Sequence, residues 1–285
     1  MQPSRLIAQA IDFLQDARQV VALTGAGIST PSGIPDFRSP KAGLWEDVDL
    51  MEVASIAAFR RHPERFYEWL RPLATTITEA APNAAHYALA ALEHRGPLRG
   101  VITQNIDLLH SRAGSRSVLE VHGHMREAVC VTCHFVAEAG PLLQDFMAHG
   151  RLPRCPRCHH VMKPNVVLFG ELLPWQALKK AQHLSRTSDL MLVVGTSLEV
   201  APAGDLPEMA KHHGARVIII NRAVTHMDGM ADLVIHGDVA EVLPELAAAF
   251  ASPQPAIYPE TTTSAGLSAV PASAWRPAGN TLSTG

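Results

Sequence analysis

Residues 20–29, Val-Val-Ala-Leu-Thr-Gly-Ala-Gly-Ile-Ser, join a short apolar run directly to a pair of glycines. The run predicts a buried strand. Gly25 and Gly27 then predict a tight turn whose backbone can approach a pyrophosphate, followed by the start of a helix. The third glycine of the usual dinucleotide fingerprint is replaced by Thr30, and the acidic ribose ligand expected about 20 residues further on is missing. A plain strand-to-helix turn therefore stays open as the alternative.

Apolar runs alternate with segments of helical periodicity along the rest of the chain. Further strands are predicted at residues 98–103, 118–122, 190–194 and 217–220, and helices at 4–18, 56–80, 84–92 (capped by Asn83), 108–113 and 175–185. Nearly continuous apolar strands separated by helices are typical of a parallel sheet that is buried on both faces. We therefore predict an α/β fold with a doubly wound, mostly parallel, Rossmann-like sheet.

Polar residues follow directly after the predicted strands. They occupy positions 25–29, 104–107 and 195–197 and Asn221. In open parallel sheets ligands bind in the crevice at the carboxyl ends of the strands, so we expect these residues to gather in one crevice. Asn221 would replace the missing acidic ribose ligand, because an amide can donate or accept a hydrogen bond with a hydroxyl.

The four cysteines of the 285-residue chain form two C-x-x-C pairs, Cys130 with Cys133 and Cys155 with Cys158. Two such pairs are typical of a structural zinc site, although the 21 residues between them slightly exceed the usual spacing. Four thiolates fill a tetrahedral sphere and leave no position for a catalytic water. Disulfides or a redox C-x-x-C are the alternatives. We expect a small zinc-binding module at 126–163, inserted in the α/β fold.

The composition is ordinary for a globular enzyme, with 47% apolar and 18% charged residues and a net charge of −3. This charge, without a Lys/Arg run, argues against nucleic acid as a direct partner. No apolar stretch is long enough for a membrane helix, and the first residues lack a signal pattern, so we expect a cytoplasmic protein. Residues 252–285 are rich in Pro, Ser, Thr, Ala and Gly and predict a disordered tail after a domain at 1–250.

In their order along the chain, the motifs resemble those of the sirtuins, the NAD-dependent protein deacylases, over residues 4–246. They are Gly-Ala-Gly-Ile-Ser at 25–29, Gly-Ile-Pro-Asp-Phe-Arg at 33–38, Thr-Gln-Asn-Ile-Asp at 103–107, Val-His-Gly at 121–123, the four cysteines, Lys-Pro-Asn-Val-Val-Leu-Phe-Gly-Glu at 163–171, Gly-Thr-Ser-Leu-Glu-Val at 195–200 and Asn221. Each motif alone is weak evidence, whereas all of them in this order are highly specific. The bacterial, deacetylase-like branch is the most similar.

The resemblance implies a NAD-dependent protein-lysine deacetylase with one structural zinc ion per chain. The acyl-lysine of a protein or peptide substrate would attack the nicotinamide ribose, and nicotinamide would leave. His122 would then act as general base on a ribose hydroxyl that takes the acyl group, giving free lysine and O-acetyl-ADP-ribose. Histidine suits this role because its unperturbed pKa is about 6.5.

The resemblance also implies the residues of the site. The catalytic residues are His122, Asn105 and Asp107, the last two at the nicotinamide carboxamide and its ribose. The NAD site comprises Gly25, Ala26, Gly27, Ser29, Asp36, Phe37, Arg38, Gln104, Asn105, Ile106, Asp107, Gly195, Thr196, Ser197, Asn221, Arg222, Asp238 and Val239. The substrate site comprises Phe37, Ile106, His122, Val166, Val167, Phe169, Gly170 and Glu171.

Several of these residues have a structural role as the alternative. Asn105 and Asp107 are also typical of an Asx turn that caps the next helix. Phe37 would shield the ribose carbon from water or lie in a core, and Arg38 would face phosphate or solvent. Residues 167–171 would pair with the substrate peptide as an added strand, or form an internal strand.

The acyl group and the reaction class are further expectations. Sirtuins that prefer succinyl or malonyl groups carry a Tyr-x-x-Arg pair, whereas here Tyr67 is followed by Leu70 and then Arg71, so the arginine stands one position late. We therefore expect neutral acyl groups. Protein ADP-ribosylation shares every motif and stays open, and a non-enzymatic zinc-containing binding module is the third hypothesis.

Overall fold

The computed structural model describes residues 3–36 and 49–251. Within these ranges the strands are β1 (Val20–Thr24), β2 (Leu98–Thr103), β3 (Val118–Glu120), β4 (Gly123–Cys130), β5 (Val136–Glu138), β6 (Met162–Val166), β7 (Leu190–Val194), β8 (Arg216–Ile220) and β9 (Leu233–Ile235). Six of them form a parallel sheet in the order β3-β2-β1-β7-β8-β9. This is the order of doubly wound nucleotide-binding sheets. From β1 the chain adds β2 and β3 on one side, and β7, β8 and β9 follow on the other side, so the strand order reverses between β1 and β7. The predicted fold class is confirmed.

Helices cover both faces of this sheet. Over the same ranges they are α1 (Pro3–Asp16), α2 (Leu50–Val53), α3 (Ile56–Arg61), α4 (Pro63–Glu79), α5 (Ala84–Arg95), α6 (Leu109–Arg112), α7 (Ala139–His149), α8 (Trp175–Thr187), α9 (Leu206–His212) and α10 (Val239–Ala248). Alternate residues of β1 enter different cores: Val20 and Ala22 pack with α1, α5 and α10, while Val21 and Leu23 pack with α8 and α9. Burial on both faces explains why the strand is uniformly apolar.

A second, smaller assembly contains the cysteines. Strands β5, β4 and β6 form an antiparallel sheet, and α7 packs against β4. A third core beside it contains Phe59, Phe66 and Tyr67 of α3 and α4. The Tyr67 hydroxyl donates a hydrogen bond of 2.6 Å to the carbonyl oxygen of Met162, which ties α4 to β6.

The structure departs from the sequence predictions at several places, among them the helix after Ser55, the strand at 118 and the turn after Gly25. The single helix predicted at 56–80 is two helices, because Pro63 begins α4 and cannot donate the backbone hydrogen bond that a continuous helix requires. The strand predicted at 118–122 ends at Glu120. The segment after Gly25 forms two short 3-10 turns, at Ala26–Ile28 and Thr30–Ser32.

The remaining expectations concern the tail and membrane helices. The predicted tail at 252–285 lies outside the described residues. Over the part of the chain that the structure describes, no helix is both long enough and apolar enough to cross a bilayer.

Asn83, predicted from the sequence as a helix cap, joins α5 to the turn after β1. Its Oδ1 accepts the N–H of Ala85 at 2.9 Å, and its Nδ2 donates to the carbonyl oxygen of Ile28 at 2.8 Å and to Ser32 Oγ at 2.9 Å. We predict that Asn83→Ala lowers stability by about 1–2 kcal/mol, since it removes the cap and leaves a carbonyl unpaired.

This change would appear as a fall of about 2–8 °C in Tm by calorimetry. The control is Thr187→Ala at the exposed end of α8, where the hydroxyl bonds only within its own helix. We expect that control to stay within about 0.5 kcal/mol. Equal shifts in the two variants would show that Asn83 is an ordinary surface cap.

Candidate active site

The turns after β1 and β7 interlock at the point where the strand order reverses. The N–H of Gly27 donates to the carbonyl oxygen of Gly195 at 2.8 Å. A Cβ on Gly27 would lie 2.8 Å from that oxygen, and a Cβ on Gly25 would lie 2.7 Å from the Cβ of Thr196. Gly195 has a φ of +58° and a side chain there would meet the N of Ile28 at 2.4 Å. All three positions therefore require glycine for close backbone packing.

A buried carboxylate lies beside this turn. Asp107 is 5% exposed; its Oδ2 accepts the Ser29 hydroxyl at 2.6 Å and its Oδ1 accepts the N–H of Leu109 at 2.9 Å. The second contact is an Asx turn of Asp107 directly before α6, whose N-cap residue is Leu108. Burial raises the pKa of the Asp107 carboxyl, and the hydrogen bonds from Ser29 and Leu109 oppose this change.

The Asn105 side chain spans the space between the carboxylate and the glycine turn. Its Nδ2 donates to the carbonyl oxygen of Gly25 and to Ser29 Oγ, both at 3.1 Å. Because the amide nitrogen faces inward, the amide oxygen is left as an acceptor, and no hydrogen bond to it is found among the described residues. Ile106, between Asn105 and Asp107, is partly buried against the third core.

Gln104 connects the ends of three strands. Its Nε2 donates to Thr196 Oγ1 at 3.0 Å and lies 3.4 Å from the carbonyl oxygen of Thr24. Its own carbonyl oxygen accepts the Nδ1–H of His122 at 3.0 Å. The residues predicted at 104–107 and 195–197 therefore do meet at one edge of the sheet.

This contact fixes the tautomer of His122. A carbonyl oxygen can only accept, so Nδ1 carries the proton and Nε2 of the neutral ring has a free lone pair. Burial lowers the pKa of His122, and the bond to Gln104 partly opposes this effect. His122 stands between β3 and β4, where the chain passes from the large sheet to the cysteine assembly. The ring is therefore a neutral, oriented base near neutral pH.

The distal edge of the crevice is formed after β8 and β9. Asn221 follows β8 and its Nδ2 donates to the carbonyl oxygen of Ala223 at 2.8 Å. Arg222 pairs with Asp238 at 2.6 Å, and Asp238 also caps α10 by accepting the N–H of Ala240. Val239, the first residue of α10, is buried. These contacts bring the four predicted residues 221, 222, 238 and 239 to the same carboxyl edge.

The loop at 33–38 is described only in part. Asp36 is partly buried at the end of the first described range. Phe37 and Arg38, predicted for the ribose carbon and for phosphate, lie outside the described residues.

The predicted peptide segment, Val166 to Glu171, leaves the sheet at the end of β6. The N–H of Val167 donates to the carbonyl oxygen of His122 at 2.8 Å, so this segment lies directly against the base. Phe169 pairs with the chain near Ser55 as an isolated parallel bridge, and 46% of its surface is exposed. Gly170 follows with a φ of +84°. Among the described residues, the carbonyl of Val167 and the N–H of Gly170 make no hydrogen bond.

The four cysteines converge in the small assembly. Their Sγ atoms all lie within 4.8 Å of one another, and three of the S···S distances are 3.4 Å. These distances exclude disulfides, whose bond is about 2.0 Å, and approach the edge of about 3.8 Å of a tetrahedral Zn–S4 site. The donor set and its shape therefore fit a structural zinc ion. No thioredoxin-like βαβ unit surrounds either pair, because β4, β5 and β6 are antiparallel.

The two cysteine turns are built alike. The N–H of His134 donates to the carbonyl oxygen of Cys130, and the N–H of His159 donates to that of Cys155, each at 2.9 Å. Both histidines have left-handed backbone, with φ of 57° and 61°. Each turn thereby directs two thiols toward the same point.

The sequence prediction assigned no role to Lys163, although it begins the motif at 163–171. The residue is 4% exposed, and its ammonium pairs with Glu171 at 3.0 Å. A lysine between Met162 and Pro164, with an acid eight residues later, was the available signal.

Comparisons with known proteins agree with this architecture. The family model described as Sir2 family matches residues 25–202. The chain is 46% identical over 241 residues to NAD-dependent protein deacylase 2 of Archaeoglobus fulgidus, covering 84% of this chain and 94% of that protein. A solved structure of Sir2 with a deacetylated p53 peptide and 3′-O-acetyl ADP-ribose is similar with a TM-score of 0.80 and 40% identity, covering 85% of this chain and 97% of the other. A second, Sir2 with p53 peptide and NAD+, has a TM-score of 0.77 at 40% identity, with the same coverage.

The family model covers more than half of the chain, and its first residue, Gly25, begins the interlocked glycine turn. The relatives match over nearly their whole length, and the residues that the family model matches include the four cysteines. Fold, site geometry and similarity agree, and the chain belongs to the Sir2 family.

Proposed function

We propose that this chain is a NAD-dependent protein-lysine deacetylase, which transfers the acyl group from lysine to ADP-ribose and releases nicotinamide. The observation that carries the proposal is His122: a neutral imidazole, oriented by Gln104, between the Asn105–Asp107 cluster and the segment at 166–171. The names of the relatives, which include deacylases and deacetylases, support the same reaction.

The residues of the crevice fit NAD as co-substrate. NAD, when bound, supplies a ribose carbon whose bond to nicotinamide is broken in the reaction. The oxygen of Asn105 is available to accept the N–H of a carboxamide, since its nitrogen is committed to Gly25 and Ser29. The hydrogen bonds that Asp107 accepts from Ser29 and Leu109 hold its side chain in one orientation, which suits a group that orients polar ligand groups. Asn221, Arg222, Asp238 and Val239 would receive the far end of the dinucleotide.

His122 moves one proton in this mechanism. Its Nε2 takes the proton of a ribose hydroxyl, so that the hydroxyl oxygen attacks the acyl carbon. The Nδ1–H bond to Gln104 holds the ring in the tautomer that leaves Nε2 basic. The N–H of Val167, bonded to the carbonyl of His122, keeps the peptide segment beside the base.

The substrate peptide would bind as an added strand along 167–171. The carbonyl of Val167 and the N–H of Gly170 supply an acceptor and a donor for its backbone. Backbone pairing gives affinity with little dependence on side chains, which suits an enzyme acting on many acyl-lysine proteins.

The position of Arg71 supports a preference for neutral acyl groups. Its guanidinium lies 4.6 Å from the centre of the Phe146 ring and donates to the carbonyl oxygen of Phe146 at 3.3 Å. Leu70 is 2% exposed in the third core, and the Tyr67 hydroxyl is bonded to Met162. Neither Tyr67 nor Arg71 is free to hold a carboxylate at the end of an acyl chain.

We further propose a cytoplasmic enzyme whose catalytic domain spans 1–250, with a zinc-binding module at 126–163. Four unpaired cysteines grouped as a metal site suit a reducing compartment. Incubation with NAD and an acetyl-lysine peptide, followed by mass analysis of peptide and nucleotide together, tests the reaction. Deacetylated peptide with O-acetyl-ADP-ribose supports the proposal, whereas a peptide carrying ADP-ribose would assign the chain to ADP-ribosyltransferases.

We predict that His122→Ala lowers kcat about 10²- to 10⁴-fold while NAD still binds, because a general base is lost. In the wild type the acid limb of kcat/KM should lie below pH 6.5. The base form exists above the pKa, burial lowers that pKa, and activity is therefore lost only as pH falls through the lowered value.

His149→Ala is the matched control, because that imidazole is 61% exposed on α7. It should change neither the rate nor the pH profile. An unimpaired His122→Ala enzyme, or an acid limb above pH 7, would contradict the assignment.

We predict about one zinc ion per chain, bound by Cys130, Cys133, Cys155 and Cys158. Cys158→Ser should lose the metal, lower Tm and reduce activity, although no cysteine belongs to the crevice, because metal binding and local folding are linked. Elemental analysis and calorimetry measure both effects. Thr132→Ala, in the other cysteine turn, should keep the metal. Fresh protein without zinc and with oxidised thiols would refute this prediction.

We predict that kcat/KM for an acetyl peptide exceeds that for the matched succinyl peptide by at least about tenfold, since an unpaired carboxylate is costly to bury. Arg71→Met should leave this ratio unchanged, because Arg71 is committed to Phe146. A succinyl activity that is equal to the acetyl activity, and that Arg71→Met removes, would show that the guanidinium does reach the acyl group.

A further inference from the structure

A buried lysine side chain lies behind the peptide segment. The ammonium of Lys163 donates to the carbonyl oxygen of Val166 at 2.6 Å, contacts Glu171 Oε2 at 3.0 Å and lies 3.4 Å from the carbonyl oxygen of Pro164. Three acceptors therefore surround its three hydrogens. Only 4% of the residue is exposed, so the charge has left water and depends on these partners.

Glu171 transmits this contact to the backbone of the segment. The same oxygen that faces Lys163 also accepts the N–H of Leu168 at 2.9 Å, while the N–H of Glu171 donates to the carbonyl oxygen of Leu168 at 3.0 Å. These two bonds close a tight turn at 168–171, with Gly170 in the left-handed region. Lys163 thus holds the two ends of the segment, Val166 and Glu171, at one point.

The buried ion pair of Lys163 and Glu171 carries a desolvation cost that apolar side chains of the same volume would not have. Burial lowers the pKa of Lys163, and the neighbouring carboxylate of Glu171 opposes this change. The ammonium charge of Lys163 therefore depends on Glu171. Buried ion pairs seldom stabilise a fold more than apolar residues of similar size would. Their directional contacts do fix geometry, and here the fixed geometry is that of the backbone between Val166 and Glu171.

Two backbone groups without a hydrogen-bond partner among the described residues lie within the segment at 166–171. The carbonyl of Val167 and the N–H of Gly170 lie between the two residues that Lys163 contacts, and the N–H of Val167 is bonded to His122. A segment that lost its closure would present these groups in many conformations, and peptide binding would then have to order it.

We propose that Lys163 is a positioning residue for substrate binding: through Glu171 and Val166 it preorganises the segment at 166–171 to receive the acyl-lysine peptide. The inference rests on the proposed deacetylase function. It assigns Lys163 no contact with NAD and no part in proton transfer.

The experiment compares Lys163→Met, Glu171→Gln and the double variant. Peptide KM and NAD KM are measured with an acetyl-lysine peptide, and peptide affinity is measured separately by calorimetry. We expect each single variant to raise peptide KM and Kd at least about tenfold, the effect of losing a charged hydrogen bond, with NAD KM within about twofold. The double variant should resemble the worse single variant, because both changes break one contact.

Lys211→Met is the matched control. Lys211 pairs with Asp232 at 2.7 Å, and the same Asp232 oxygen accepts the N–H of Val217, so this more exposed pair repeats the hydrogen-bonding pattern of Lys163 and Glu171. The Lys211→Met variant should leave peptide KM unchanged.

Lys163→Met with wild-type peptide KM and Kd overturns the proposal, as does a double variant whose effects multiply.

Loss of stability alone gives a different result, since NAD KM and peptide KM would then worsen together with Tm; that outcome also overturns the proposal. If the wild type deacetylates no peptide, the proposed function fails. Calorimetry of peptide binding still decides the role of Lys163 in that case, because unchanged Kd in the variants rejects it and weakened binding supports it.

Discussion

The backbone contact between Gly27 and Gly195 is the constraint on which the site depends. It joins turns that are far apart in the chain, and it leaves no room for a side chain at either position. Once these turns are locked, Gln104 can span Thr24 and Thr196, and Asn105 can reach Gly25. The reversal of strand order between β1 and β7 places this contact where a parallel sheet opens a crevice.

Burial acts on the two titratable groups of the crevice in opposite directions. It raises the pKa of Asp107 and lowers that of His122, because in each case it disfavours the charged form. Hydrogen bonds oppose burial at both: Ser29 and Leu109 keep Asp107 an acceptor, while Gln104 fixes the His122 proton on Nδ1. The result is an oriented, uncharged base at His122 and an oriented acidic side chain at Asp107.

Much of the fold was predictable because its strands carry their signal locally. The strand predictions at 98–103 and 190–194 coincide with β2 and β7. β7 is buried and apolar at every position, and β2 is buried at every position except Arg99. The missing third glycine is explained by the structure: the chain turns through 3-10 geometry, and Thr30 Oγ1 donates to the carbonyl oxygen of Gly27, so a hydroxyl is useful at that position. Pro63 was a visible signal for the break that the helix prediction missed.

The rest of the site depends on partners that are distant in sequence. The glycines were attributed to close approach of a ligand, and in the fold they also lie against the turn after β7, Gly25 at Thr196 and Gly27 at Gly195. The orientation of Arg71 follows from Phe146 on α7, and the role of Lys163 follows from the path of the chain after β6. Such contacts are set by tertiary packing, which neither spacing nor periodicity reveals.

The packing around Arg71 has an evolutionary consequence. A lineage that came to use acidic acyl groups would need a cation one helical position earlier, at Leu70, whose side chain is enclosed among the aromatic rings of α3 and α4. Placing a charge there would first require those rings to repack, and the intermediate would carry an unpaired charge in a core. A charge introduced at position 70 would therefore act first on the stability of this core.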